Sequence, residues 1–287
     1  MEFKIFDNVT AYRDKVKSFL EKEEAVNNLP LGILQNLLKP KQTQTQSYEE
    51  KPFLSLVEDD GETILVLLMT PPYKPYVYGK GTKLKEAITF VVSKLSKMDL
   101  ELSGVVGPKD VAEFFSDNWG KEKGVMPIIG MNQRIYQLKN VKIDEFSSGK
   151  LRPASQNDIT LLTDWIYDFS AVTLGEITKE ESLKRAIQMV NQGTCYVWED
   201  GGSVVSMANK TRPTENGITI NFVYTPPTHQ RKGYASSCVA VLSQLLLNKG
   251  YKYCTLYTDL DNPTSNSIYM KIGYEPISDS VMYYFIN

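Results

Sequence analysis

Histidine and cysteine are scarce in this sequence. The chain has a single histidine, His229, and three cysteines, Cys195, Cys238 and Cys254, which form no Cys-x-x-Cys pair. A metal site built from histidine and cysteine is therefore not expected. An odd number of unpaired cysteines is typical of reduced thiols in the cytosol and not of a disulfide framework. We predict a cytoplasmic protein that holds no metal.

Long hydrophobic segments are also missing. The longest aliphatic run, residues 64–69, is far shorter than the roughly 20 residues that a helix needs to cross a bilayer. The first residues, Met1–Asp7, lack the basic and apolar segments of a signal peptide. We therefore expect no membrane partner and no secretion.

Neither sign of charge dominates. The chain has 32 basic and 34 acidic residues, and neither half of the sequence is basic. Nucleic acid is therefore not an expected partner. The length of 287 residues favours two domains, although one large α/β domain stays open at this point. An apolar content of 42% is typical of a globular protein.

Periodicity and turn signals predict a similar order of elements in the two halves. In the first half we predict helices at about 10–25 and 31–38, strands at 52–57 and 63–69, an extended piece ending at Gly79, a helix at about 82–97, a strand, a helix near 110–119 and a final strand. In the second half we predict helices at 154–170 and 178–191, strands at 194–198, 203–208 and 217–225, a helix from about 233, a strand at 253–258, a helix at 263–272 and a strand at 281–286. This order suggests a duplicated unit joined by a linker at 141–150.

The segment that enters the helix near position 233 carries the strongest functional signal. A predicted strand leads into Arg231, Lys232 and Gly233, which open a helix with an apolar face. Such a turn directs unpaired N–H groups and the positive end of the helix dipole at one point, where an anion is favoured. A surface turn with a solvated basic pair is the alternative. The chain lacks Gly-x-x-x-x-Gly-Lys-Ser/Thr and Gly-x-Gly-x-x-Gly, which excludes the commonest nucleotide sites.

Two motifs in the second half resemble those of a known family. Gln230-Arg-Lys-Gly-Tyr-Ala235 resembles the Gln/Arg-x-x-Gly-x-Gly/Ala signature of the GNAT acetyltransferases. The segment Asn262–Tyr274 is similar to the family's second motif, and Leu151-Arg-Pro-Ala154, followed by Asp158, resembles the opening of a GNAT domain. The resemblance covers about 151–287.

The resemblance implies an α/β fold of two GNAT-like domains, each a mostly antiparallel twisted sheet flanked by helices. Residues 1–140 would form a degenerate GNAT-like domain, 141–150 a linker and 151–287 the catalytic domain. It also implies acetyl-CoA as cosubstrate. The implied CoA-binding residues are Phe222, Val223 and Thr225 for the pantetheine arm, Gln230, Arg231, Lys232, Gly233, Tyr234, Ala235 and Ser236 for the pyrophosphate, and Asn262 and Asn266 beside the arm. Pro226 and Pro227, which lack backbone donors, offer a local reason for the strand to separate from its neighbour.

The resemblance also implies that Tyr269 is the general acid that protonates the departing CoA thiolate; a core tyrosine is the alternative. No carboxylate lies on the strand that enters the loop, where the chain has Thr219 and Asn221. Glu176 is our first candidate for the base, and a solvated loop glutamate is the alternative. His229 suits a surface or anion-adjacent role. Tyr224, Trp198 and Met207 are candidates for the acceptor pocket or for ordinary strand packing.

These observations together predict an N-acetyltransferase in which a primary amine attacks acetyl-CoA directly in a ternary complex. The acceptor is a small molecule or a peptide, and the oligomeric state is not predicted. A non-catalytic acyl-CoA sensor or interaction module is the alternative, supported by the missing strand carboxylate. A nucleotide-dependent enzyme is a distant third.

Overall fold

The computed structural model describes residues 1–40, 44, 50–98, 100–173 and 177–287. The chain forms two compact units. Unit 1 contains residues 1–135, 257–262 and 276–287, and unit 2 contains residues 136–256 and 263–275.

The secondary structure alternates between strands and helices. The strands are β1 Glu2–Phe6, β2 Phe53–Asp59, β3 Glu62–Met69, β4 Tyr76–Gly79, β5 Gly104–Pro108, β6 Met126–Leu138, β7 Lys150–Pro153, β8 Cys195–Asp200, β9 Ser203–Thr211, β10 Gly217–Tyr224, β11 Tyr253–Asp259 and β12 Glu275–Ile286. The helices are α1 Val9–Glu21, α2 Asn28–Leu37, α3 Leu84–Leu95, α4 Lys109–Lys123, α5 Ile159–Thr173, α6 Lys179–Asn191, α7 Tyr234–Asn248 and α8 Pro263–Ile272.

Unit 1 is a sheet with helices on both faces. Its strands follow the order β1-β2-β3-β4-β5-β12-β6, with β6 contributing residues 126–135. The neighbours from β1 to β12 pair antiparallel except for β4 with β5. Alternate residues of β3 explain the two cores: Leu65 and Leu67 pack with α3 and α4, whereas Val66 and Leu68 pack with α1 and α2. A strand buried on both faces reads as a continuous apolar run, as residues 64–69 do.

Unit 2 repeats this arrangement. Its strands follow the order β7-β8-β9-β10-β11, antiparallel except for the parallel pair β10 and β11. On β8, Tyr196 and Trp198 face the core of α7 and α8, and Cys195 and Val197 face the core of α5 and α6. The predicted mixed α/β class with mostly antiparallel sheets is confirmed.

Local sequence signals fix several element ends. Thr178 and Glu181 form a capping box, with each side chain bonded to the other residue's backbone N–H, and α6 begins at the next residue after Thr178. Gly201 and Gly202 both have positive φ in the hairpin turn between β8 and β9. The helix predicted at 263–272 has these bounds in the structure.

Four details differ from the sequence prediction. β1 was not predicted, because five residues with three apolar positions carry a weak alternation signal. β7 was not predicted either, because its four residues include one aliphatic side chain, Leu151, and a proline. β12 starts at Glu275, six residues before the predicted start at Val281. Residues 276–287 belong to unit 1, so the compact units do not follow the chain in two simple halves. The boundaries 1–140, 141–150 and 151–287 stay a prediction.

Within the described ranges, no helix is both long and apolar enough to cross a membrane.

Candidate active site

The loop between β10 and α7 has an irregular backbone. It contains a short 3-10 helix, Pro227–His229, after which Arg231 and Gly233 both adopt left-handed conformations, with φ of 63° and 79°. Such a conformation is favourable for glycine and costly for arginine. The exposed side chains of Arg231 and Lys232 add positive charge at this point.

The loop and the start of α7 present a row of unused amides. The first helical hydrogen bond runs from the N–H of Ser237 to the carbonyl of Gly233. In the described part of the chain, the backbone N–H groups of residues 231–236 have no acceptor. Free N–H groups at the positive end of a helix dipole bind anions. In this first turn Tyr234 is buried and Ala235 and Ser236 are half-buried. Anion binding by these amides stays a prediction.

Gln230, the first residue of the signature, bonds within the loop. Its Nε2 donates to the carbonyl of Thr225 at 3.0 Å. The Thr225 hydroxyl in turn donates to Ser206 Oγ at 2.8 Å, which ties the end of β10 to β9. Gln230 therefore shapes the loop through its side-chain amide.

β10 separates from β11 at a β-bulge. The two strands pair from Gly217 to Thr219, and the register of β10 against β9 shifts between Asn221 and Tyr224. Phe222 lies within this shift at a φ of 47°, an uncommon conformation for a bulky residue. In the described residues, β10 and β11 have no paired positions beyond Thr219. The pairing with β11 ends at Thr219, just before the bulge, and Pro226 and Pro227 lie after the strand has ended. The proline explanation of the separation therefore needs correction.

The bulge leaves Phe222, Val223 and Thr225 on a stretch of backbone that is not paired with β11 in the described residues. The Phe222 ring packs against Phe169 of α5, with centroids 5.1 Å apart. The side of β10 that faced β11 before the bulge can therefore bond an extended ligand through main-chain groups.

Tyr269 lies on α8 and is 8% exposed. Its ring packs edge-on against that of Tyr274, with ring centroids 6.0 Å apart. The Tyr274 hydroxyl lies 2.9 Å from Ser243 Oγ of α7. The Tyr269 hydroxyl has no hydrogen-bond partner among the described residues, yet it is not one of the buried polar atoms left without a partner. Its oxygen is therefore not completely buried. Burial of the ring raises the pKa of the phenol, so it stays protonated.

The two asparagines of the second motif lie at different depths. Asn262 precedes α8, and its backbone N–H donates to the carbonyl of Asp259 at 3.1 Å. Asn266 is buried, and its Oδ1 accepts a hydrogen bond from the Tyr136 hydroxyl at 2.9 Å. This contact holds α8 to β6, and a role of either asparagine beside the CoA arm stays a prediction.

Glu176, the sequence candidate for the base, lies outside the described residues. On the strand before the loop, Thr219 Oγ1 lies 2.9 Å from Thr255 Oγ1, and Asn221 accepts from Asn209 at 2.8 Å. His229 is half-buried, and its ring lies 6.4 Å from that of Tyr234.

A carboxylate that the sequence reasoning missed lies beside the end of β10. The Tyr224 hydroxyl donates to Asp168 Oδ2 at 3.5 Å, and the Tyr224 ring packs on Trp165 at 5.8 Å. Burial, and then the charge of Asp168, raise the pKa of Tyr224. Of the other acceptor-pocket candidates, Trp198 and Met207 are buried in the two cores. Asp168 and Tyr224 are distant in sequence, and no local motif connects them.

The corresponding loop of unit 1 is different. The side chains of Lys80 and Lys83 at the start of α3 form ion pairs with Glu23 and Asp59. The N–H of Lys80 donates to the carbonyl of Ile64. The first turn of α3 also carries Glu86, whose carboxylate repels an anion. These contacts make the unit 1 loop a poor phosphate site.

Within the described ranges, no group of three or more histidine, cysteine, aspartate and glutamate side chains is arranged to hold a metal ion.

Comparison with known proteins identifies the family of this site. Residues 161–274 match the model of the acetyltransferase (GNAT) family. This region is a GNAT domain. It includes the bulged strand, the loop at Gly233 and Tyr269, so the resemblance found in the two motifs is confirmed. Among curated proteins, none matches the chain.

Solved structures share the fold at low sequence identity. A GNAT-family acetyltransferase from Colwellia psychrerythraea is 11% identical, with both chains covered completely and a TM-score of 0.60. A GCN5-related N-acetyltransferase from Sphaerobacter thermophilus is 13% identical over 98% of this chain and 94% of that one, with a TM-score of 0.59. A tandem GNAT protein from the clavulanic acid biosynthesis pathway is 10% identical over 99% and 98% of the two chains, with a TM-score of 0.56.

These similarities show that the fold is that of tandem GNAT proteins, with two GNAT-like domains. The GNAT fold supports acyl-CoA-dependent acetyl transfer in general.

Proposed function

We propose that the GNAT domain transfers the acetyl group of acetyl-CoA to the nitrogen of a primary amine. The observation that carries this proposal is the row of free amides at residues 231–236, which directly follows a strand that has separated from its neighbour. The amides fit a diphosphate, and the bulged end of β10 fits an extended pantetheine arm. Acetyl-CoA bound there supplies an activated thioester for attack by the amine.

Tyr269 is the proposed donor to the departing sulfur. Its phenol is protonated because burial raises the pKa. A thiol has a pKa near 8.5, below the value near 10 of a phenol, and burial raises the pKa of the Tyr269 phenol further. Complete proton transfer to the thiolate is therefore uphill, and the phenol acts mainly by donating a hydrogen bond to the sulfur as its negative charge develops; a transferred proton would be replaced on the phenol from solvent.

Asp168 and Tyr224 are the proposed contacts for the acceptor. Asp168 is exposed and lies within 3.5 Å of the Tyr224 hydroxyl, at the end of the strand proposed to hold the thioester. A carboxylate attracts an ammonium group and can accept its proton. Glu176 remains the other candidate for the base.

The burial of the three cysteines favours direct attack of the amine on acetyl-CoA over a route through an acyl-cysteine. Cys195, Cys238 and Cys254 are all buried. Burial raises the pKa of the Cys195 thiol to about 12, and it raises the pKa of the other two thiols as well. A covalent route through an acyl-cysteine requires an accessible thiolate, and these three thiols do not offer one.

The test is an acetylation screen. The chain is mixed with acetyl-CoA and a panel of primary amines, thiol release is followed, and products are identified by mass spectrometry. We expect at least one amine to stimulate thiol release and to gain one acetyl group. The matched control is Gly233→Glu, which places a carboxylate among the amides and should show neither effect.

A non-catalytic acyl-CoA sensor is the second candidate. It is favoured by Asn221, which stands on the strand where some GNAT enzymes carry a glutamate and which accepts from Asn209 at 2.8 Å. CoA binding without turnover on any amine of the panel would support the sensor and reject the enzyme.

A further inference from the structure

The linker residue Ser147 is bonded to the phosphate loop on both sides of Gly233. Its hydroxyl donates to the carbonyl of Lys232 at 2.7 Å. Its backbone N–H donates to Ser237 Oγ at 2.8 Å. Ser147 therefore connects the last turn of the loop to the first turn of α7.

The next residue, Ser148, anchors the linker to buried side chains. Trp198 Nε1 donates to the Ser148 carbonyl at 2.8 Å, and Trp198 is 3% exposed. The Ser148 hydroxyl donates to Asp200 Oδ2 at 2.9 Å, and the hydroxyl of Tyr234 donates to the same oxygen at 2.6 Å. The linker is thus fixed to the β8–β9 hairpin and to the first residue of α7.

The bond to Lys232 determines the direction of an amide. A trans peptide is planar, so its C=O and N–H point in opposite directions. Because the carbonyl of Lys232 points at Ser147, the N–H of Gly233 in the same peptide points away from the linker. This N–H is one of the amides proposed to bind the diphosphate.

The linker also fills the space on the other side of the loop. A Cβ at Gly233 would lie 2.6 Å from Ser147 Oγ, and Gly233 has a φ of 79°. The loop therefore cannot relax toward the linker without displacing Ser147. The Lys232–Gly233 peptide is limited by a hydrogen bond and by contact with the same side chain.

We propose that Ser147 is a positioning residue for CoA binding, which orients the Lys232–Gly233 peptide so that its amide faces the diphosphate. Residues 147 and 148, which the sequence analysis placed in a linker, are then a part of the cosubstrate site of unit 2. This inference rests on the proposed function, since it assumes that CoA occupies the loop.

The test compares three substitutions at one position by calorimetric titration with CoA. Ser147→Thr keeps the hydroxyl. Ser147→Val has nearly the same shape as the threonine variant but lacks the hydroxyl. Ser147→Ala lacks the hydroxyl and adds no methyl group. Loss of one neutral hydrogen bond is expected to weaken CoA binding about two- to tenfold. We therefore expect Val and Ala to lose affinity by this factor and Thr to bind more tightly than Val.

A control separates positioning from general loss of stability. Thr89→Ala removes a hydroxyl that donates to the Lys85 carbonyl at 3.0 Å at an exposed position of α3, and it should leave CoA affinity unchanged. Equal affinities of the Thr and Val variants, or wild-type affinity in all three, would overturn the role of Ser147 while leaving the CoA site in place. Failure of the wild-type chain to bind CoA would instead reject the proposed function, and this inference with it.

Discussion

The side chain of Gln230 donates a hydrogen bond to the backbone carbonyl of Thr225 at 3.0 Å. This contact closes the turn between β10 and the residues that open α7. The first residue of the family signature thus acts on the loop itself, and the backbone N–H groups of residues 231–236 that follow it have no acceptor in the described part of the chain. The Gln230–Ala235 motif therefore stabilises the conformation of the loop in addition to any contact with a ligand.

Tyr269→Phe tests the proton donor. The substitution removes only the phenol oxygen, which has no partner among the described residues. We expect kcat to fall by about 10²-fold or more, since general acid catalysis contributes roughly that much. CoA affinity should stay the same, because the ring remains against Tyr274.

The pH profile adds a second check on Tyr269. Burial raises the pKa of its phenol above 10. The group stays protonated below that pH, so the wild-type rate should show no alkaline loss from Tyr269 up to about pH 10. Unchanged kcat in Tyr269→Phe would remove the general-acid role.

Asp168→Asn tests the acceptor contact. With the amine identified in the screen, we expect KM for the amine to rise about tenfold or more, since hydrogen bonds to charged groups are worth more than neutral ones. CoA affinity should not change. The matched control is Asp164→Asn on the same helix, where the carboxylate pairs with Lys179 at 2.6 Å. Equal effects of the two substitutions on KM would contradict a specific contact at Asp168.

Asp158→Asn tests how unit 2 is held together at its first strand. Asp158 is 6% exposed and accepts two hydrogen bonds from Arg152 and one from the Ser155 backbone. We expect the free energy of unfolding to fall by about 2–4 kcal/mol at pH 7, because a charge-assisted network in a buried place is broken. Urea denaturation measures this change.

The difference in the free energy of unfolding between the wild type and Asp158→Asn should depend on pH. The hydrogen bonds from Arg152, followed by those from Ser155, lower the pKa of Asp158 in the folded state, although burial opposes them. The folded pKa is then below the unfolded value near 3.9, so the stabilisation is present above pH 4 and is lost as the pH falls through the folded pKa. If the difference in the free energy of unfolding between wild type and variant does not become smaller below pH 4, the ionised Asp158 carboxylate is not the source of the stabilisation.

The stoichiometry of CoA binding tests the role of unit 1. Because Lys80 and Lys83 are engaged in ion pairs and Glu86 lies in the first turn of α3, we expect one CoA per chain. Lys80→Glu should leave the affinity unchanged. Two equivalent sites in native mass spectrometry would show that unit 1 also binds the cosubstrate.

The sequence predicts much of unit 2 because its signals are local. A capping box marks α6, a pair of glycines marks the β8–β9 turn, and Pro263 marks the start of α8. The amides of the loop could also be predicted, since they follow from a strand, a glycine and a helix in sequence.

The features of the site that could not be predicted depend on contacts between residues distant in sequence or on an unfavourable backbone conformation. No rule of composition places a phenylalanine in a left-handed conformation, so the bulge at Phe222 could not be anticipated. The contact of Asp168 with Tyr224 and that of Ser147 with Lys232 join residues that only the folded chain brings together.

Calorimetric titration of CoA into the wild-type chain and into Gly233→Glu tests whether the loop at Gly233 binds the diphosphate. A side chain at Gly233 must take a left-handed backbone and would meet Ser147 Oγ, and a carboxylate there repels the diphosphate. We expect one CoA site in the wild type and no measurable binding in a folded Gly233→Glu variant. No binding by the wild-type chain, or equal affinity in the variant, would contradict this expectation.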